Sequence, residues 1–193
     1  MPPVLRKIPF TAALLPLVQT FFCGDQPWEQ EVSAWIRNDG PDGVLADMHE
    51  RGTDVWLYAT DIGEVVGFGS LGLSVWNYPK PSSARVMLNL IPYLGIQRRF
   101  QGKPADVPRS ERFSAQILDH LIFEASSHLE RAPILALKVH RGNIRAIRVY
   151  EAAGFRHFPE RRSDFALGKQ IYCRMTLDLP SSHREPPDTP PRR

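Results

Sequence analysis

The residues with the most chemistry in them run from Leu135 to Phe155, LALKVHRGNIRAIRVYEAAGF. A buried strand ends at Val139 and a polar loop follows. Asn143 then opens a helix as its N-cap, where a side-chain oxygen takes a backbone N–H that the helix leaves unpaired. Ala146, Val149, Tyr150 and Ala153 fall near one helical face, and Gly154 ends the helix as its C′ residue. A phenol on such a face either packs with its hydroxyl bonded or donates a proton to an anion forming beside it. A second segment, Leu94 to Lys103 (LGIQRRFQGK), joins an apolar strand to a long amphipathic helix. Free backbone N–H groups in such a turn, with the dipole of the following helix, make a cradle for an anion.

In register, Asn143, Ala146, Tyr150, Glu151, Gly154 and Phe155 resemble the second half of the GNAT superfamily of N-acetyltransferases. The family pattern there is a strand, then Asn, then Ala three residues on, then Tyr-Glu and Gly-Phe. Leu94 to Lys103 is similar to the GNAT run Leu-x-Val followed five residues later by Arg/Gln-Gly-Lys. The resemblance is close from Arg85 to Phe155 and extends elsewhere through element order alone. It implies an α/β (α+β) fold: a GNAT-type mixed, splayed sheet flanked by helices, in a single domain over residues 1–179. It also implies acetyl-CoA as cosubstrate, no metal, and transfer of acetyl to a primary amine by direct attack in a ternary complex. The main chain of Leu94 and Ile96 would take the pantetheine arm, and Gln101, Gly102 and Lys103 would surround the pyrophosphate. Asn143 and Tyr150 complete that site, and Tyr150 is the expected proton donor to the leaving thiolate.

The sequence departs from the family between the turn and the helix. Pro104 to Glu111 reads as an insertion of roughly eight residues, a modest loop extension. Pro104 and Pro108 limit its freedom and Ser110 is a candidate cap, so an ordered, shielding loop is expected. Arg112 and Ser114 stand where GNATs carry Gly-x-Gly, and with Arg109 they offer side-chain contacts to phosphate in its place.

Aminolysis of a thioester needs a neutral amine, an oxyanion donor and a proton for the thiolate. The strand from Arg85 to Gln97 holds no Asp or Glu, and Asn89 is the one polar candidate inside it. A base therefore comes from elsewhere, and Glu29, Glu31, Asp61 and Glu64 all remain open. His140 reads as a solvated loop histidine, Trp28 and Trp35 as helix core, and Cys23 as a buried small hydrophobe. Arg98 and Arg99 read equally well as surface charges or as partners of the CoA phosphates.

These groups need a scaffold of alternating elements. Strands are expected over Val4–Phe10, Val55–Thr60, Glu64–Leu73, Arg85–Gln97, Ile134–Val139 and Ile171–Leu177, with a further one starting at Phe155. Helices are expected over Thr11–Phe22, Trp28–Arg37, Ser110–Glu130 and Asn143–Ala153, and Asp61-Ile62-Gly63 makes a hairpin turn. The sheet should splay near Leu94 to Gln97, where that strand diverges from Ile134–Val139.

With 193 residues, 42% of them hydrophobic and 23% charged, the chain suits one ordinary folded domain. From Pro180 it reads PSSHREPPDTPPRR, a flexible Pro/Arg-rich tail over 180–193. A net charge of +3 with Arg spread along the chain does not call for nucleic acid, and no recognition helix or zinc motif is present. An aminoacyl-tRNA acceptor, as in a toxin-like GNAT, stays open, as does a non-catalytic CoA-binding or regulatory module. Cys23 and Cys173 lack metal-ligand spacing and fit a reducing compartment. With no long apolar run, the expectation is a cytoplasmic protein without a membrane partner; a homodimer is left open.

Overall fold

The computed structural model describes residues 5–77, 84–102, 112–127, 132–158 and 171–180. Lys103, the insertion Pro104 to Glu111 with Arg109 and Ser110, and the tail after Pro180 lie outside the described residues. In chain order the elements are β1 (Arg6–Pro9), a 3-10 turn (Ala12–Leu14), α1 (Leu15–Val18), α2 (Pro27–Arg37), α3 (Val44–Arg51), β2 (Asp54–Ala59) and β3 (Val65–Asn77). Then follow β4 (Arg85–Ile91), β5 (Leu94–Ile96), α4 (Phe113–Ser127), β6 (Ile134–His140), α5 (Ile144–Ala152), β7 (Arg156–His157) and β8 (Tyr172–Asp178).

Three expectations change. The helix expected over Thr11–Phe22 is only the 3-10 turn and the single turn α1. Val18, Phe21 and Cys23 are all buried, at spacings of three and two that one helical face cannot satisfy. An unforeseen helix, α3, sits between Gly43 and the left-handed Gly52 (φ 62°), and its Asp47 accepts the Trp35 indole N–H at 2.9 Å. The long strand Arg85–Gln97 is broken into β4 and β5 at Pro92-Tyr93. Proline offers no N–H to a ladder, and both backbone groups of Tyr93 are held by Ser70 instead.

Among the described residues the strands form one mixed sheet in the order β1-β2-β3-β4-β6-β8-β7, with β5 paired to β3. Only β4 and β6 run parallel. α4 and α5 cover one face, burying Ile117, Leu118 and Leu121 with Trp56, Leu71, Leu135 and Met175. α1, α2 and α3 cover the other, around Phe21, Trp35, Ile36, Leu57 and Phe68. Edge strand β1 is tied across to α4 by Lys7 and Glu124 at 2.8 Å.

The α4 face comes close to the strands only because β3 is bare there. A Cβ on Gly67 would stand 2.5 Å from the Gly95 carbonyl oxygen and 2.9 Å from Ile117 Cδ1. Gly67→Ala should therefore displace β5 or α4 and lower stability by about 1–3 kcal/mol, the usual cost of overpacking. Chemical denaturation of the variant beside the parent checks this; an unchanged midpoint would mean that the two elements yield freely.

Candidate active site

The sheet opens at one place. β4 pairs with β6 through Asn89–Leu135, Leu90–Ala136 and Ile91–Leu137. After the break, β5 pairs with β3 on its far side, through Gly69–Leu94, Phe68–Gly95 and Gly67–Ile96. Lys138, Val139 and His140 of β6 run on with β8 as their one partner strand. Tyr93 O and Gln97 N both bond to β3, at 3.0 and 2.8 Å. By the alternation of an antiparallel ladder, the main chain of Leu94 and Ile96 points the other way, into the gap. The GNAT-type splay is thus present where the sequence places it.

At one end of the gap lies the turn after β5. Gln101 Nε2 donates to the carbonyls of Ile96 (2.8 Å) and Cys23 (2.7 Å), so its side chain pins the turn to β5 and to the loop before α2. Gly102 follows in the left-handed region (φ 81°). A Cβ there would lie 3.7 Å from Nη2 of Arg145, so that guanidinium stands over the turn from the first turn of α5. Phe100 meets Phe113 edge-on, with centroids 5.8 Å apart, which sets the start of α4 beside the turn. The carbonyl of Arg112 accepts the amides of Ala115 and Gln116, making Arg112 the N-cap residue of α4, with Ser114 half-buried in the first turn. Arg99 is engaged by Gln97 Oε1 (2.9 Å) and Glu64 (3.1 Å). A carboxylate already answers that charge, whereas among the described residues none pairs with Arg145.

α5 carries the other expected groups. Asn143 is its N-cap, with Oδ1 accepting the Ala146 amide at 3.1 Å. Ala146, Ile147, Val149 and Tyr150 pack against the same apolar cluster as Leu94 and Ile96. The Tyr150 ring is half-buried and tilted against Phe155 at 5.9 Å, and among the described residues its hydroxyl has no hydrogen-bond partner. Desolvation pushes the phenol up to about 12. It therefore keeps its proton across the neutral range.

Sequence reading missed what stands on the α2 side of the gap. His140 is the last residue of β6, not a solvated loop histidine, and it stacks on Trp28 with centroids 4.3 Å apart. Trp28 is half-buried at the start of α2 and outside the core that Trp35 joins. Tyr172, beside His140 on β8, donates its hydroxyl to Glu31 of α2. Tyr93 lies near the same carboxylate and stacks on Trp35, with centroids 4.5 Å apart. Burial first, and Glu31 second, push both phenols up to about 12. The other candidate bases serve structure: Glu29 closes the capping box of α2, Asp61 takes the Ile62 amide in the β2–β3 turn, and Glu64 pairs with Arg99. Asn89 is fully buried and donates to the Ala132 carbonyl at 2.6 Å, holding the approach to β6. Cys23 is buried, and desolvation pushes its thiol up to about 11.

Among the described residues no group of His, Cys, Asp and Glu could hold a metal, and no helix is long and apolar enough to cross a membrane. No family model matches the sequence, and no curated protein matches it. Solved structures do match. A bacterial toxin aligns over 92% of this chain and 92% of its own, with a TM-score of 0.67 and 13% identity. A GNAT-family acetyltransferase from Staphylococcus aureus Mu50 aligns over 92% and 100%, with a TM-score of 0.58 and 13% identity. The protein has the GNAT fold. Within that fold it is also similar to a mutant AtaT toxin bound to the C-terminus of the antitoxin AtaR and acetyl-CoA, over 91% of this chain and 93% of the toxin, with a TM-score of 0.62 and 13% identity.

A thiol held near 11 reacts slowly, because the thiolate is the nucleophile. Native protein at neutral pH should leave Cys23 unlabelled by iodoacetamide under conditions that label it fully after unfolding. Peptide mass spectrometry reads this directly; rapid native labelling would show that the loop joining α1 to α2 opens.

Proposed function

We propose that the protein is an N-acetyltransferase that takes acetyl from acetyl-CoA and delivers it to a primary amine by direct attack, without an acyl-enzyme. The observation that carries this reading is the inner edge of β5, which pairs with no strand among the described residues and where the main chain of Leu94 and Ile96 faces the gap beside β6, the Ile96 carbonyl already taking the Gln101 side chain. An amide-bearing arm such as pantetheine can bond to such an edge as an added strand does. The pyrophosphate then falls toward Gly102, the start of α4 and Arg145, with Lys103 next in the chain. Gln101 takes part through its backbone, since both side-chain donors hold carbonyls. Asn143 contributes by setting the start of α5, and Arg112 and Ser114 by their place at the N-terminus of α4.

Tyr150 is the proton donor in this reading. Its hydroxyl has no protein partner among the described residues and stays protonated, so it is available to a thiolate forming within reach. Cys23 is unsuited to carry an acyl group, because it is buried and its thiolate is disfavoured. A second reading, an aminoacyl-tRNA acceptor, is supported by the likeness to bacterial toxins of this fold.

Thiol release from acetyl-CoA with an amine panel separates a transferase from a module that only binds CoA. Acetyl-CoA at a hundred times its Kd should add about 2.7 kcal/mol to stability, seen as a rise in Tm. Tyr150→Phe keeps the ring and its packing on Phe155, so Tm and acetyl-CoA affinity should hold. Its turnover should fall roughly 10²–10⁴-fold. Full turnover in a folded Tyr150→Phe variant would assign the proton to water.

A further inference from the structure

Four rings and one carboxylate meet where α2 crosses the open end of the sheet. Trp28 lies nearly flat on His140 (4.3 Å, 25°), His140 meets Tyr172 edge-on (5.6 Å), Tyr172 donates to Glu31, and Tyr93 lies near that carboxylate. They come from four places in the chain: α2, the β4–β5 break, the end of β6 and the start of β8. The core holds Tyr93 through its stack on Trp35, but Glu31 is exposed and Trp28, His140 and Tyr172 are half-buried, so the needs of a core do not explain how those four meet. Among the described residues Glu31 forms no salt bridge, and nearby Arg51 is paired with Asp47 at 2.8 Å. His140 takes the Gly142 amide on Nδ1 at 3.0 Å. Among the described residues the result is a carboxylate without a cation, oriented by the Tyr172 phenol and bordered by π faces. A protonated amine is the ligand such a mouth suits.

We propose that this mouth takes the acceptor as a small protonated primary amine, with Glu31 as its ion partner and proton acceptor and with Trp28, Tyr93, His140 and Tyr172 around the carbons next to nitrogen. The proposal rests on the acetyl-transfer reading above. The ammonium gives one proton to Glu31, and the neutral nitrogen forms a C–N bond to the acyl carbon. As the C–S bond breaks, its electron pair leaves on sulfur, which takes the Tyr150 proton. The second proton of the new amide nitrogen returns through water to Tyr150, and Glu31 releases its own to solvent. Ammonium and thioester thus become amide, thiol and one proton.

The test uses the full chain with acetyl-CoA and four acceptors: phenethylamine, putrescine, glutamate and phenylalanyl-tRNA. Thiol release is followed for the parent, Glu31→Gln and Trp28→Leu, with acetyl-CoA affinity measured by calorimetry on each. The two small cations should be acetylated, and glutamate and the tRNA should not. Glu31→Gln keeps an acceptor for the Tyr172 phenol, and its kcat/KM should fall ~10²–10⁴-fold with acetyl-CoA affinity unchanged. Trp28→Leu should raise KM for phenethylamine by about 3- to 30-fold, with kcat held. Acetyl-CoA binding without acetylation of either small cation, preference for the tRNA, or full activity in Glu31→Gln overturns the acceptor proposal and leaves the cosubstrate reading standing. No acetyl-CoA binding by the parent overturns both.

Discussion

Ser70 is fully buried in the middle of β3, and its hydroxyl donates to the Tyr93 carbonyl (2.8 Å) while accepting the Tyr93 amide (2.9 Å). Its own amide reaches the same carbonyl at 3.0 Å. One residue of β3 thus replaces the ladder bonds that the Pro92-Tyr93 break would leave unmade, inside a core where unmade bonds are costly. β3 itself runs on without interruption, pairing with β5 up to Gly69 and with β4 from Gly72. The chain after Ile91 is drawn toward β3 and away from β6. Had it continued straight to Gln97, β6 would have been paired along its length and no gap would exist. The opening is a consequence of where one strand changes partner.

The chemical groups then line that opening. The turn that Gln101 anchors, Arg145 and the start of α4 bring guanidinium charge and backbone N–H groups to it. Glu31 with its Tyr172 donor, and His140 stacked on Trp28, line its α2 side. α2 spans both strands of the gap, since Val32 packs toward Gly95 of β5 while Trp28 and Glu31 reach β6 and β8.

Local signals account for what the sequence disclosed. Asn143, Ala146, Tyr150 and Gly154 mark a capped helix at fixed spacing, and the helix is there within one residue at each end. The hairpin at Asp61-Ile62-Gly63 was legible in the same way, and Gly63 has the positive φ it requires. The strand break was signalled by Pro92, which is poorly placed in a central strand, but apolar residues on both sides hid it. The aromatic mouth left no such trace. Trp28, His140, Tyr172 and Glu31 are joined by ring contacts and one hydrogen bond between segments far apart in the chain, each residue ordinary in its own neighbourhood. Only the choice of Glu31 among four carboxylates needed the fold, because the other three carry visible structural duties.

The cap of α5 shows how a polymer rule becomes a functional one. Arg145 stands over Gly102 at the phosphate end, and Tyr150 packs inward against the apolar cluster. Five residues of helix separate them, which turns their directions apart by roughly 140°. A helix starting one residue early or late would rotate both by roughly 100°, taking the guanidinium off the turn and the phenol off the cluster together. Asn143 prevents this by accepting the Ala146 amide, which defines where helical bonding begins. Among the described residues its Oδ1 is then engaged and its Nδ2 is not, so the residue can hold the helix and still offer a donor outward. The GNAT resemblance gives Asn143 to the cosubstrate and the geometry gives it to the helix, and the two assignments use different atoms of one side chain.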